Sequence, residues 1–317
     1  MKQTTKKIVW FVAFLGINTI GLCTEPFAKG PYLGQIPPGS TAQVFAPGLI
    51  SDTRPQTWES GGTFSADGNT FCYVRNSVHR SPGAGSFFIT ENTNQGWTAP
   101  KLIESIREEH AAWGPSLSAD ANSIYFTYAM LEPLSKRNIY RCDRTAHGWT
   151  APQALGPPLS SPAKELTCSI AANNSIYFGS SRKGEEPWGT SFIFVAPFVN
   201  NTWQRATYIS LNNLQEGGAS GPAIAPDESF VVFTALNLPG GYGHRDLYLT
   251  LRLPDGTWSK HRNLGPRINS SYLEHSAMIS PDKKYLFFTR SEGWDPRKHS
   301  ANIYWVDLKE YLPVSYR

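Results

Sequence analysis

Short apolar strands of period two, each led by a small polar turn, return along this chain at a fixed spacing. The turns are Ser65-Ala66-Asp67-Gly68, Ser118-Ala119-Asp120, Ala171-Ala172-Asn173-Asn174, Ala225-Pro226-Asp227 and Ser280-Pro281-Asp282, so an Asp or Asn recurs every 53 to 55 residues. Each turn leads into an alternating strand: Thr70-Phe71-Cys72-Tyr73, Ile124-Tyr125-Phe126, Ile176-Tyr177-Phe178, Phe230-Val231-Val232-Phe233 and Tyr285-Leu286-Phe287-Phe288. Alternation of this kind predicts half-buried β-strands bounded by turns. A variable loop follows, then a third strand reaching an aromatic at Phe88, Tyr140, Phe194, Tyr248 and Tyr304. A fourth strand is predicted to begin at the tryptophan of Gly96-Trp97, Gly148-Trp149, Thr202-Trp203 and Thr257-Trp258. No window reads as a long amphipathic helix.

A four-stranded repeat cannot bury its own apolar face, so neighbouring repeats must stack into a shared core, and radial stacking does this while leaving only short edges. The expected fold is therefore all-β, a β-propeller of about five four-stranded blades formed by repeats at about 58–107, 108–163, 164–215, 216–272 and 273–312. The fifth repeat lacks the tryptophan strand, and the apolar segment Gln43 to Ile50 precedes the first repeat with no other partner. That segment is predicted to close the ring by joining the last blade; a sixth, degenerate blade from residues 24–57 is the alternative. In domain terms the reading is a signal peptide over 1–23, an N-terminal linker over 24–42 and one propeller domain over 43–317.

The Ser-x-Asp-Gly turn before an aromatic strand, with Asp246-Leu247-Tyr248, Gly256-Thr257-Trp258 and Asn263-Leu264-Gly265-Pro266-Arg267-Ile268-Asn269, resembles the TolB-type, WD-repeat-like propellers of bacterial envelopes. The resemblance spans about residues 40–312, with departures at Phe88, at Ala171-Ala172-Asn173 and at Phe194. It implies the fold. Relatives of this architecture include protein-binding modules and, more distantly, glycan-degrading lyases, so it leaves activity open.

Composition agrees with a β fold: aromatics reach 13%, charged residues only 17%, and 27 Gly with 24 Pro punctuate the chain. The net charge of +4 is spread rather than clustered, which excludes a nucleic-acid footprint. Lys2, Lys6 and Lys7 precede an apolar run from Ile8 to Leu22, shorter than the roughly 20 residues a membrane helix needs. This reads as a secretory signal peptide and places the expected protein in the periplasm or outside the cell. Cys23 loosely resembles a lipobox cysteine, although Leu22 is bulky where a small residue is expected; plain cleavage nearby is the expectation, and membrane attachment is expected only through lipidation at Cys23. Cys72, Cys142 and Cys168 lie in strand-like stretches with no CxxC spacing and read as small buried hydrophobes. A monomer is expected.

In a propeller, the loops before first strands and after second strands share one face. That face receives Glu59, Glu109, Glu165, Glu216 and Glu274 near the channel mouth, with His79, His110, His244, His275 and His299. His147 and His261 fall elsewhere. Arg75 and Arg290, each eight residues after a turn aspartate, end second strands there, and Trp113, Trp188, Tyr242 and Trp294 lie in loops on the same face. The ligand-binding candidates are Glu59, Glu109, His110, Trp113, Glu165, Glu216, Glu274, His275, Arg75 and Arg290. Each has a structural alternative: strand-start glutamates also hold backbone amides, and Arg75 and Arg290 can pair with a neighbouring Glu. His110, His275 and the glutamates offer donors suited to Mn or Zn, but no HxH or HxxxH pair fixes a site, and no cofactor or metal is assigned. A ring of glutamates could supply paired carboxylates for glycoside hydrolysis, whereas no GxSxG or Cys-His arrangement exists for nucleophilic catalysis.

With no local catalytic motif and an aromatic, mixed-charge face, the preferred reading is an exported non-catalytic propeller that binds a protein or glycan ligand on its loop-rich face. The alternative is a glycan-active lyase or hydrolase at the channel mouth, with a histidine base and Arg75 or Arg290 facing a uronate carboxylate.

Overall fold

The structure is a computed structural model and describes residues 27–76, 85–106, 110–130, 137–183, 191–211, 218–295 and 298–317. The described residues are nearly all β and form a propeller. The inner, second and third strands of the first repeat are Trp58–Phe64, Thr70–Asn76 and Ser86–Thr93. They are followed by His110–Leu117, Ser123–Met130 and Asn138–Thr145; Glu165–Ile170, Ile176–Ser180 and Phe192–Ala196; Ala219–Ile224, Phe230–Leu236 and Arg245–Leu251; and Leu273–Ile279, Tyr285–Ser291 and Ala301–Asp307. Within each repeat they pair antiparallel in sequence order. In the fifth sheet the outermost place is taken by Gln43–Val44, which pairs antiparallel with Tyr304 and Trp305.

The turn sequence acts through its side chains. Asp67 accepts Ser65 Oγ at 2.5 Å and Asn69 N at 2.9 Å, and Ser65 Oγ accepts Thr70 N at 2.9 Å, so two residues tie off the backbone groups at the hairpin. The same bonds form at Ser118-Asp120 and Ser280-Asp282. The residue after the Asp or Asn is left-handed in all five turns, yet only the first carries glycine there: Gly68, Ala121, Asn174, Glu228 and Lys283 have φ of 72°, 57°, 66°, 59° and 60°.

The fourth strands differ from the expected single runs. Gly96–Trp97 folds back on the end of the third strand, the chain breaks over Ala99-Pro100, and pairing resumes at Lys101–Leu102. The second sheet does the same across Ala151-Pro152. Proline has no amide to donate, so the ladder is interrupted where it stands.

Among the described residues five apolar cores lie between neighbouring sheets. The junction of the last sheet with the first holds Phe45, Phe64, Phe71, Tyr73, Phe287 and Trp305. The segment 27–42, read as a linker, also packs here: Leu33 is buried, Tyr32 meets Phe64 and Tyr285 edge-on at 5.3 and 5.1 Å, and Trp97 Nε1 donates to Gly30 O at 2.7 Å. Cys72, Cys142 and Cys168 are buried free thiols within these cores, with burial pushing the thiols of Cys142 and Cys168 up to about 12.

Every inner strand carries a bulge midway, between Ser60 and Gly62, Trp113 and Ser116, Glu165 and Cys168, Ser220 and Ala223, and His275 and Met278. The bulges point into the central channel and narrow it to a cavity of about 30 Å³ lined by Gly61, Gly114, Thr167, Gly221 and Ser276. Such a waist admits about one or two waters and no sugar ring.

Candidate functional site

Above the waist, at the start of the inner strands, three glutamates from the sequence-derived set meet arginines. Arg75 Nε donates to Glu59 Oε1 at 3.1 Å, Arg182 Nη2 to Glu165 Oε1 at 2.9 Å, and Arg290 Nε to Glu274 Oε1 at 2.7 Å. Each pair also ties down the chain that enters its blade. Glu274 accepts Ser270 N and Ser270 Oγ at 3.1 and 2.6 Å, and Arg290 Nη2 donates to Ile268 O at 2.7 Å. Glu165 accepts the same two groups of Ser161, and Arg182 reaches Pro158 O and Leu159 O. The guanidinium of each lies over aromatic rings of its own blade, as Arg290 does over Tyr304 at 4.5 Å. These are clips that hold the approach segment to the sheet, and they use the hydrogen-bonding capacity of Glu165 and Glu274 inside the fold. Both glutamates are 0% exposed. Arg75 and Arg290 thus each face the glutamate of their own blade.

The first clip is looser. Its approach segment lacks the serine four residues before the glutamate and runs through Asp52-Thr53-Arg54-Pro55 instead, from which Glu59 accepts Asp52 N at 3.2 Å. A cleft of about 680 Å³ opens beside it, lined by Ile50, Asp52, Arg54, Trp58, Glu59 and Arg75. Arg75 is 38% exposed, against 18% for Arg290 and 19% for Arg182. Two carboxylates in this cleft are driven in opposite directions. Burial pushes Glu59 up to about 7, against the downward pull of the Asp52 amide and Arg75. Arg54, donating to both oxygens of Asp52, holds that carboxylate down at about 2.

A second cluster sits at the rim where the fourth and fifth blades meet. Arg245 begins the third strand of blade four and pairs in parallel with Leu273 at the start of the next inner strand. Its guanidinium lies over the Trp294 ring at 4.6 Å, and His275 packs on the same ring at 5.2 Å. The imidazole is half-buried, with Nδ1 3.0 Å from Ser276 Oγ and Nε2 3.2 Å from Ser291 Oγ. Burial and the charge of Arg245 push His275 down to about 3, so it is neutral at physiological pH. Trp113 begins the equivalent bulge in blade two and lies under Arg137 at 4.5 Å. His244 is exposed, His299 packs on Gly293, and His261 stands against Phe233 and Tyr248.

Glu109, Glu216, His79 and Trp188 lie outside the described residues, as does the side chain of His110. Among the described residues no three of His, Cys, Asp and Glu are grouped to hold a metal ion. Sequence reasoning missed Arg182, Asp52, Arg54, Tyr272 and Arg245. Arg182 carried a signal, but it falls nine residues after its turn Asn173, whereas Arg75 and Arg290 fall eight after theirs.

No family model matches the chain, and no curated protein matches it. Solved structures do. A complex described by the names BT0996 and RGII aligns with a TM-score of 0.56 at 11% identity, covering 85% of this protein and 92% of its counterpart. A structure described as "Glycoside hydrolase" gives 0.52 at 11% identity over 85% and 92% of the two proteins. A thermostable family-43 glycoside hydrolase gives 0.51 at 14% identity over 78% and 89%. At these identities the likeness establishes the fold.

Proposed function

We propose that the chain is a carbohydrate-active enzyme that hydrolyses glycosidic bonds in the cleft of the first blade. The observation that carries this reading is the pair of carboxylates at one cleft, Asp52 and the 2% exposed Glu59 in its wall, whose surroundings separate their proton affinities. Such separation is what distinguishes an acid from its ionised partner in glycoside hydrolysis. Glu59, holding its proton near neutrality, delivers it to the departing glycosidic oxygen; Asp52, ionised, supports attack at the sugar carbon, and one water is consumed. Arg54 and Arg75 add positive charge around the cleft, and Trp58 adds an aromatic wall. That the similar structures are described as glycoside hydrolases and a complex with RGII supports a glycan as the substrate. Export through the N-terminal segment, to the periplasm or beyond it, belongs to this proposal, as do one propeller domain and a monomeric state.

One observation favours a second reading, glycan binding without turnover: Glu59 occupies the same clip that Glu165 and Glu274 use structurally. The deciding experiment incubates the purified protein with a panel of neutral and acidic polysaccharides and measures new reducing ends. Turnover by the wild type that is lost in Glu59→Gln supports the enzyme. Binding of a polysaccharide without product, equal in wild type and Glu59→Gln, supports the second reading and overturns the first.

A further inference from the structure

Among the described residues, Arg245 is a half-buried cation without a counter-ion. Its side chain makes no ion pair or hydrogen bond with any of them, and its Nε is buried with no partner. Its neighbour in sequence does not serve it: Asp246 is turned inward and accepts Tyr242 N at 2.7 Å, Gly243 N at 3.1 Å and Asn263 Nδ2 at 3.0 Å. The adjacent His275 is neutral and adds no competing charge. Burial lowers the proton affinity of Arg245 itself. A desolvated guanidinium costs folding free energy unless an anion reaches it, and its planar donors match a carboxylate.

The ring beneath this cation, and two more on the chain segments next to it, are exposed aromatics. Trp294 is 47% exposed, Tyr242 47% and Tyr272 46%, and they rank among the few large side chains left open to solvent. They are adjacent: Gly243 lies so close to Ser270 and Tyr272 that a Cβ there would stand 2.4 Å from both carbonyl oxygens, and Arg245 is bridged to Leu273. Flat rings with polar tips around a fixed positive donor suit a pyranose carrying a carboxylate, which presents apolar CH faces, hydroxyls and an anion together.

We propose that Tyr242, Arg245, Tyr272 and Trp294 form a binding site for a uronic acid residue of an acidic polysaccharide, with Arg245 receiving the carboxylate. Trp294 follows the second strand of the fifth blade, and Ser300, just before the third strand of that blade, accepts the amide of Gln56 at the cleft's edge at 3.0 Å. The substrate class rests on the glycan reading of the cleft, whereas the anion site rests on Arg245 alone.

The test is calorimetric titration of the full-length protein with an oligogalacturonate, with its methyl ester, with a neutral galactose oligomer and with an oligoglutamate. The wild type should bind the oligogalacturonate, and methyl esterification or Arg245→Met should weaken binding about tenfold to a hundredfold, the range for a charged hydrogen bond. Arg245→Met should fold, since it removes an unpaired charge; Trp294→Ala, in an exposed loop, gives a second variant that should also weaken binding. Glu59→Gln should bind as the wild type does, so loss of turnover with binding intact separates failure of the cleft from failure of this site. Binding unchanged in Arg245→Met, or equal affinity for oligoglutamate, would overturn the proposal.

Discussion

The clips of the first and fifth blades have the same parts and different fates. In the fifth, Glu274 is closed over by Ser270 and a 2.7 Å bond from Arg290, and its carboxylate never meets solvent. In the first, an approach segment without the serine leaves Glu59, itself only 2% exposed, with a longer bond to a more exposed arginine at the wall of a cleft. The change in the chain before the strand goes with a more exposed arginine and a cleft beside it, while burial raises the carboxyls of both Glu59 and Glu274 above their ordinary value. The same logic applies along the rim, where blade five places neutral His275 against a ring that Arg245 also uses, while blade two places Trp113 under Arg137.

The comparison breaks most readily at activity. Glu59→Gln keeps the shape and hydrogen-bonding reach of the side chain and should lower the rate of product release by about two to four orders of magnitude, the usual share of general acid catalysis. Glu274→Gln should leave the chemistry in the cleft intact, as read by reducing ends at a temperature where the variant is folded. If the two variants lose activity equally, the clips are alike and the distinction falls.

Stability should rank the other way. Glu274→Ala strands Arg290 in the fold and should cost about 3–5 kcal/mol in chemical denaturation, as for one partner removed from a buried pair. Glu59→Ala should cost only about 1–2 kcal/mol, because Arg75 can turn to water. A larger loss for Glu59→Ala would mean that the first clip is the tighter one.

The pH dependence of stability sharpens the same point. Glu59 is raised from 4.5 to about 7 on folding, so the folded protein holds this proton more tightly than the unfolded chain. Its contribution is fully present below about pH 4.5 and is lost as pH rises through 7. The midpoint difference between wild type and Glu59→Gln should therefore shift against the wild type across that window and be flat outside it. A difference that favours the wild type more as pH rises would show Glu59 held as a carboxylate.

The smallest effect concerns the turns. Ala121 stands left-handed where Gly68 stands in the first repeat, and Ala121→Gly should raise stability by about 0.5 kcal/mol in thermal melts, the relief of the left-handed penalty less the entropy cost of glycine. Gly68→Ala should do the reverse.

What the sequence displayed of this fold was local. The Ser-x-Asp turns and the strands after them were legible because each is decided by a few adjacent residues. The column of glutamates at the inner strands was legible too, with the pairing of Arg75 and Arg290 among its alternatives, but the third clip was hidden because Arg182 is displaced by one residue from their register. The broken fourth strands had a visible cause in Ala99-Pro100 and Ala151-Pro152 that the tryptophan landmark obscured. The cleft depends on a missing serine before Glu59, and the rim site on the lack of a counter-ion for Arg245 among the described residues. Features defined by an absent partner leave no pattern in a chain and appear only once the surroundings are assembled.

The most direct measurement of the central claim is a pH titration of carboxyl infrared absorption in the wild type, with Glu59→Gln as the subtracted reference. The account predicts one protonated carboxyl band that disappears with a midpoint near pH 7 in the wild type and is missing from the variant. A difference spectrum showing Glu59 already ionised at pH 5 would contradict it and return the first clip to the same purely structural role as the fifth.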